Sequence, residues 1–380
     1  MRISVVHSFY SGDAPSGENV VVEQQVQRLL DVGHDVQVVS VRTDDLNRRS
    51  FYKLETAWNV ATAGGVSPVA ALKKFAPDVV HIHNLFPNYS TRWLDAWPGP
   101  VVSTVHNFRA ACANGMLLRD GSPCTLCPDK SPVNAVVHAC YRGSRLATIP
   151  LAIRNRRGAA GDAVITRSDR IVYPAQHVRE QYERMGAPVP KGTVIPHFTL
   201  PAGPPPAYFP DPGPHAPWLY IGRLSEEKGI LPLLDYWPAD KQLVIYGSGT
   251  LQDRVTDRCR GNIRYGGLVR HEDIRALIQS SRGVVIPSLW LEIGPLTYAE
   301  ALSCSRPIIA KNGNGAAFDI AKARTGGVFE TFEELPQAIR TVEADWSGYS
   351  CRAADRYAEM YTPQTWTRKM VACYESVAEH

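Results

Sequence analysis

Two series of short β-branched runs, each alternating with amphipathic segments, flank a stretch of residues 201–217 that carries eight prolines. No helix or central strand survives that density of proline, because each one fixes φ and removes a backbone donor. The chain is thereby broken near its middle into two halves that fold separately. A chain of 380 residues is also more than one core usually serves. In the first half, Arg2–His7, Asp35–Ser40, Val79–His83, Val101–His106, Ala163–Thr166 with Arg170–Val172, and Val194–Pro196 read as strands. Ser16 reads as the cap of a helix that runs to Leu30 and stops at Gly33. In the second half the strands are Trp218–Ile221, Leu243–Tyr246, a run ending at Tyr265–Val269, Val284–Ile286 and Pro307–Ala310. The helices there are Gly229–Trp237, His271–Ser280 and Leu296–Ser303. Near-continuous apolar strands separated by helices indicate parallel sheets covered on both faces. Two doubly wound α/β domains follow. Such domains bind ligands beyond the carboxyl ends of their strands, so two facing domains are expected to hold a ligand in a central cleft. Thr362–Glu379 reads as a final amphipathic helix.

Composition removes several classes. Apolar residues at 44% and charged residues at 21% are globular values. A net charge of +4 advertises neither nucleic acid nor a membrane surface. Arg outnumbers Lys about threefold, which suits phosphate or carboxylate ligands. No apolar run is long enough to span a bilayer, no basic amphipathic surface helix is evident, and the start reads as a strand rather than a signal peptide. A cytoplasmic protein with at most peripheral membrane contact, monomeric or homodimeric, is expected. Its eight cysteines would then be reduced thiols or metal ligands.

The chemistry concentrates in the second half. In Pro287–Ala301, Glu292 ends a strand-to-helix loop and Glu300 lies inside the helix that follows. A helix start offers free N–H groups and the positive end of a dipole, which suits phosphate. A carboxylate inside that helix can accept two hydrogen bonds from a ribose diol, and one before it can reach a sugar beyond the phosphates. In Ile221–Gly229, Arg223 and Lys228 follow the first strand and can converge on a diphosphate. Gly247 and Gly249 permit close backbone approach after the next strand, and backbone at Gly267–Val269 can read a base edge.

These motifs in order are Gly222-Arg223-Leu224 with Lys228-Gly229, Gly247-Ser248-Gly249, Gly267-Leu268-Val269, and Pro287-Ser288 with Glu292 and Glu300-Ala301. Together they resemble the retaining GT-B glycosyltransferases of family 4. The first half agrees, in Ser16-Gly17-Glu18-Asn19, Gly33-His34-Asp35-Val36, Pro77–His83 and Ser103–His106. The resemblance covers nearly the whole chain. It implies the GT-B fold, with an acceptor domain over residues 1–198, a linker over 199–217, a nucleotide-sugar domain over 218–361, and a helix over 362–380 crossing back to the first domain. It also implies transfer of a hexose-type sugar from a nucleoside diphosphate sugar, a UDP-sugar ahead of a GDP-sugar, to a hydroxyl or amine. The acceptor would be a small molecule, a lipid-linked sugar or a glycan, with no role for nucleic acid. Arg223 and Lys228 would neutralise the departing diphosphate in place of a metal ion. Glu300 would hold the ribose, while Glu292, Gly294, Pro295 and Leu296 would hold sugar and phosphate. Leu268 and Val269 would frame the base, with Gly247 beside them. Gly17 would let backbone approach the sugar or phosphate, and His106 would hydrogen-bond the sugar. Retention would follow from front-face attack. Where that family often carries Gly-Phe-Gly after the first Glu, this chain has Ile293-Gly294-Pro295.

Other readings remain. A nucleotide-sugar 2-epimerase shares the architecture, although Glu292 with Glu300 argues against it, and a non-catalytic nucleotide-sugar binder is a third reading. A nicotinamide dehydrogenase is disfavoured because no Gly-x-Gly-x-x-Gly follows the first strand. His81 and His83 share one face of a strand, but no third metal ligand accompanies them. Finally, Cys112, Cys124, Cys127 and Cys140 fall in a loop-rich insertion over 110–142. A C-x2-C centre with two flanking thiols is a candidate structural zinc site, with buried thiols or disulfides as alternatives.

Overall fold

The computed structural model describes residues 1–10, 17–48, 50–201 and 208–378. The chain divides into two units. The first comprises 1–117, 124–195 and 367–380; the second comprises 118–123 and 196–366.

The first unit is built on β1 (Arg2–Phe9), β2 (Asp35–Arg42), β3 (Val79–Asn84), β4 (Val101–Thr104), β7 (Arg170–Tyr173) and β8 (Gly192–Val194). A two-stranded ladder of β5 (Leu118–Arg119) and β6 (Ser122–Pro123) stands apart. The sheet order is β2-β1-β3-β4-β7-β8, and every pairing is parallel. Seven of the eight residues of β1 are buried, as a strand covered on both faces requires. Its polar members find partners; Ser4 Oγ donates to Gln37 Oε1 at 3.0 Å. The helix Gly17–Asp31 follows β1, and its expected cap Ser16 lies outside the described residues.

The second unit contains β9 (Trp218–Ile221), β10 (Leu243–Tyr246), β11 (Ile263–Gly267), β12 (Gly283–Ile286), β13 (Ile308–Lys311) and β14 (Gly326–Phe329), in the order β11-β10-β9-β12-β13-β14. Alternate residues of the same strands enter opposite cores. Trp218, Tyr220, Leu243, Ile245, Val285 and Ile309 pack on one face. Leu219, Val244, Val284, Ile286, Ile308 and Ala310 pack on the other. This is the two-residue side-chain period of a strand, with apolar residues at both phases. Each fully buried large side chain contributes about 2–3 kcal/mol by transfer from water.

The strand order reverses between β1 and β3 in the first sheet and between β9 and β12 in the second. Loops leaving the carboxyl ends of strands at such a reversal splay apart and open a crevice. In the second unit those two loops are Gly222–Gly229 and Pro287–Pro295, the segments that carry Arg223, Lys228 and Glu292.

Several expectations are revised. Ala163–Arg167 is a helical turn rather than a strand, because Asp162 Oδ1 accepts from Val164 N at 3.0 Å and caps it. The helix expected from Gly229 starts at Ile230, with Gly229 in left-handed backbone at φ 66°. Of the Pro-rich stretch, 202–207 lie outside the described residues. Its later part is pinned to the second unit: Tyr208 Oη donates to Asp355 Oδ1 at 2.6 Å, Arg306 donates to Pro210 O at 3.2 Å, and Arg282 pairs with Asp211. The last helix is Pro363–Ala378. From Thr367 onward it belongs to the first unit, where Tyr374 Oη and His81 Nδ1 are 2.7 Å apart.

Candidate active site

In the second unit the loops after β9 and β12 are joined. Leu289 N donates to Glu227 O at 2.9 Å. A Cβ at Gly229 would stand 2.2 Å from Pro287 O, so the left-handed turn and the close approach both require glycine. Across this junction Lys228 Nζ donates to Glu292 Oε1 at 2.9 Å. The carboxylate is almost fully buried, and Ser288 Oγ donates to the same oxygen. Lys228 Nζ also lies 5.5 Å from the centre of the Trp290 ring. Arg223 is mostly exposed, with its Nε 3.8 Å from Glu227 Oε1, and Ser225 Oγ holds Glu227 at 2.6 Å. Lys228 and Glu292 are thus brought into contact, while Arg223 sits on the same turn with its own carboxylate. Glu227 and Trp290 were not singled out by sequence, and Ser288 was quoted only as part of a motif. The signal for Ser288 was its place four residues before Glu292.

The helix Leu296–Ser303 starts after Pro295, in extended backbone, and no side chain caps it. Its N-terminus therefore offers N–H groups and a partial positive charge beside Gly294, Pro295 and Leu296. Glu300 lies one turn in and is buried. Burial pushes its carboxyl up to about 7, with Arg275 opposing. His271 Nδ1 is 3.7 Å from Glu300 Oε1. The loop after β10 closes against the loop after β9: a Cβ at Gly247 would stand 1.9 Å from Gly222 O, and Gly247 N donates to Gly267 O at 2.9 Å. Beyond β11, Leu268 is exposed and Val269 half-buried, as a surface open to a flat ring would be.

In the first unit, His106 follows β4, and its Nε2 lies 2.9 Å from His83 Nδ1. His83 and His81 lie on one face of β3 with ring centroids 4.2 Å apart, and His81 Nε2 meets Thr104 Oγ1 at 2.7 Å. Gly17 opens the first helix and is exposed. The next residue, Glu18, was quoted in the sequence only as part of a turn, yet it is the more unusual group. Burial pushes its carboxyl up to about 8, opposed by Arg109 and by a hydrogen bond from Asn84. His7 Nδ1 is 4.0 Å away, and burial holds His7 down at about 4. His7 Nε2 meets Asn19 Oδ1 at 3.2 Å.

The insertion brings its four cysteines near one another. None of Cys112, Cys124, Cys127 and Cys140 is joined in a disulfide. They lie near enough that Cys112, Cys140 and Cys124 add to the effect of burial in pushing Cys127 up to about 11. Among the described residues, however, no three potential ligands are gathered as a metal site. Cys112 Sγ donates instead to Asn114 Oδ1 at 3.0 Å, and Cys127 and Cys140 pack against Ala113, Ala135 and Leu151.

Two six-stranded parallel sheets with phosphate-suited loops at a strand-order reversal define the GT-B class of α/β proteins. The chain belongs to glycosyltransferase family 4: the family described as Glycosyltransferase Family 4 matches residues 15–199, and Glycosyl transferases group 1 matches residues 217–345. Alpha-D-kanosaminyltransferase of Streptomyces kanamyceticus is 30% identical over 136 residues, 33% of this chain and 35% of that protein. The chain thus spans about a third of that curated relative. Among solved structures, sucrose-phosphate synthase from Thermosynechococcus elongatus has a TM-score of 0.68 at 17% identity, covering 99% of this chain and 98% of that one. Anabaena HepE in complex with UDP has a TM-score of 0.63 at 15% identity, covering 99% and 100%.

Proposed function

We propose that this protein is a retaining glycosyltransferase that moves a hexose-type sugar from a nucleoside diphosphate sugar to a hydroxyl or amine acceptor. The observation that carries the reading is the Lys228–Glu292 pair, held by two interlocked loops beside an uncapped helix start. Breaking the bond to a diphosphate builds negative charge on the leaving oxygens and positive charge at the anomeric carbon. Lys228, Arg223 and the N–H groups at Leu296 stabilise the first without a metal ion, Lys228 and the N–H groups being fixed before the charge appears. Glu292 stays close to the sugar and keeps Lys228 oriented. Glu300 takes the ribose hydroxyls, and Leu268 and Val269 flank the base. In this reading His106 hydrogen-bonds the transferred sugar, and Gly17 leaves room for it. Attack of the acceptor on the face from which the diphosphate leaves would retain configuration. The proposed donor is a UDP-sugar ahead of a GDP-sugar.

The test is a thermal-shift panel of nucleoside diphosphate sugars, followed by product analysis with the donor that binds. Expected are stabilisation by one nucleotide class, slow donor hydrolysis without acceptor, and a product with the donor's anomeric configuration. Inverted product would refute front-face transfer. Proton exchange at sugar C2 without acceptor would establish an epimerase, and binding without any hydrolysis or transfer would leave a nucleotide-sugar binder.

A further inference from the structure

Two hydrogen-bond acceptors of the first unit face each other with no donor between them. His7 lies near the carboxyl end of β1 and is fully buried. Its Nε2 meets Asn19 Oδ1 at 3.2 Å. A carbonyl oxygen only accepts, so Nε2 carries the ring hydrogen and Nδ1 presents a lone pair. Burial holds the ring neutral, its value down at about 4, which agrees. Glu18 Oε1 stands 4.0 Å from that lone pair. Both atoms are buried, and among the described residues neither has a hydrogen-bond partner. Buried polar groups are normally satisfied, so a facing pair of orphans asks for an occupant.

The neighbours are already committed. Asn84 hydrogen-bonds Glu18 and donates through Nδ2 to Tyr10 Oη at 2.9 Å, while its Oδ1 accepts from Phe86 N at 2.9 Å. Arg109 Nη1 donates to Ala113 O at 3.0 Å, and its guanidinium lies 4.3 Å from the centre of the Phe86 ring. The ionisable groups whose charge acts on the pair are Arg109 and Tyr10 at Glu18, and Arg42 at His7. The pair sits where β1 and β3 part at the reversal of strand order, the place where such a sheet takes a ligand. Glu18 is in the first turn of the helix Gly17–Asp31, and its side chain is 11% exposed, so the carboxyl is reached from solvent.

The spacing selects the occupant. A nitrogen at an ordinary ~2.8 Å from both acceptors sees them about 90° apart, close to the angle between two N–H bonds. A hydroxyl has one hydrogen and satisfies one of the two. A metal ion would ask for at least three ligands, and among the described residues no such group is gathered.

We propose that the first unit binds an amine-bearing polyol, with the ligand's ammonium group bridging Glu18 Oε1 and His7 Nδ1. The identification of this ligand as the acceptor rests on the transferase reading above; the amine site itself does not. An ammonium has no lone pair, so it orients the acceptor, and a hydroxyl elsewhere on the same molecule attacks. In the free protein at pH 7 Glu18 keeps its proton, since burial raises it to about 8. The arriving ammonium favours the carboxylate, and the displaced proton leaves to the buffer.

The experiment is calorimetry of the full chain without donor, at pH 7, with millimolar glucosamine, glucose and N-acetylglucosamine, in two buffers of different ionisation enthalpy. Expected is binding of glucosamine roughly tenfold or more tighter than of the two neutral sugars, with release of most of one proton. Glu18→Gln should abolish both the preference and the release. Unchanged nucleoside diphosphate affinity and circular dichroism verify that this variant folds. Equal affinity of the wild type for the three sugars, glucosamine binding without proton release, or an amine preference that survives Glu18→Gln would overturn the proposal. Sugar transfer by a wild type that shows no amine preference would refute the amine site alone. Amine-selective binding by a protein that transfers no sugar would refute the acceptor reading and leave the site standing.

Discussion

Lys228→Met removes one ammonium and keeps most of the side-chain stem. In the free protein it breaks a 2.9 Å charge-assisted bond to a carboxylate that is only 4% exposed. Losing one partner of a fully buried pair costs about 3–5 kcal/mol. Here Lys228 is one-fifth exposed and Ser288 still donates to Glu292, so about 1–3 kcal/mol of stability should be lost. If the same ammonium faces the donor diphosphate, its removal should also weaken nucleoside diphosphate binding by about 1–3 kcal/mol, roughly 5- to 150-fold. Isothermal titration separates the two effects, since nucleoside diphosphate should lose this affinity while the bare nucleoside keeps its own. Adding Glu292→Gln neutralises the orphaned carboxylate, so melting temperature should recover while diphosphate affinity does not. Wild-type diphosphate affinity in Lys228→Met, or an equal loss for the nucleoside, would refute the placement of this cation on the leaving group.

Four further outcomes are expected. Nucleoside affinity should rise with pH through about 7, because burial holds Glu300 protonated below that value and only the ionised carboxylate accepts from both ribose hydroxyls; Glu300→Gln should flatten the profile. The same raised value means that ionising Glu300 weakens the fold, so its stability contribution is present at low pH and is lost between the ordinary carboxyl range and about 7, which pH-dependent melting of the two proteins checks. Gly229→Ala should lower stability by about 2 kcal/mol or more and impair nucleotide binding, since its methyl meets Pro287 O at φ 66°, read by denaturant unfolding and titration. Cys127, held up to about 11, should resist alkylation at neutral pH while exposed Cys351 reacts, as mass spectrometry of a timed reaction would show.

The parallel sheets were legible because strands buried on both faces are apolar at both phases, as Trp218–Ile221 and Leu243–Tyr246 are. Lys228 and Glu292 could be named because each falls in a loop between an apolar strand and a helix. What spacing alone could not give was contact. Arg223 has the right neighbourhood but turns to Glu227, a choice made by side-chain geometry rather than by position. The four insertion cysteines have zinc-like spacing, yet Cys112 bonds Asn114 and Cys127 packs in a small core. Ala163–Arg167 was mistaken for a strand because a β-branched run outweighed one capping aspartate. Glu18 is buried beside Arg109, Asn84 and His7, neighbours brought together only by the fold.

The bond between His81 and Tyr374 joins residues 293 positions apart inside one unit. A ribosome delivers this tyrosine 293 residues after His81 of β3, so the first sheet waits through that length of synthesis for the hydroxyl that completes its interior. Until then His81 meets Thr104 through Nε2 but lacks the tyrosine hydroxyl at Nδ1. Nascent chains stalled before Tyr374 should therefore hold a loosened N-terminal half, protease-sensitive around β3, that tightens once the final helix emerges from the exit tunnel.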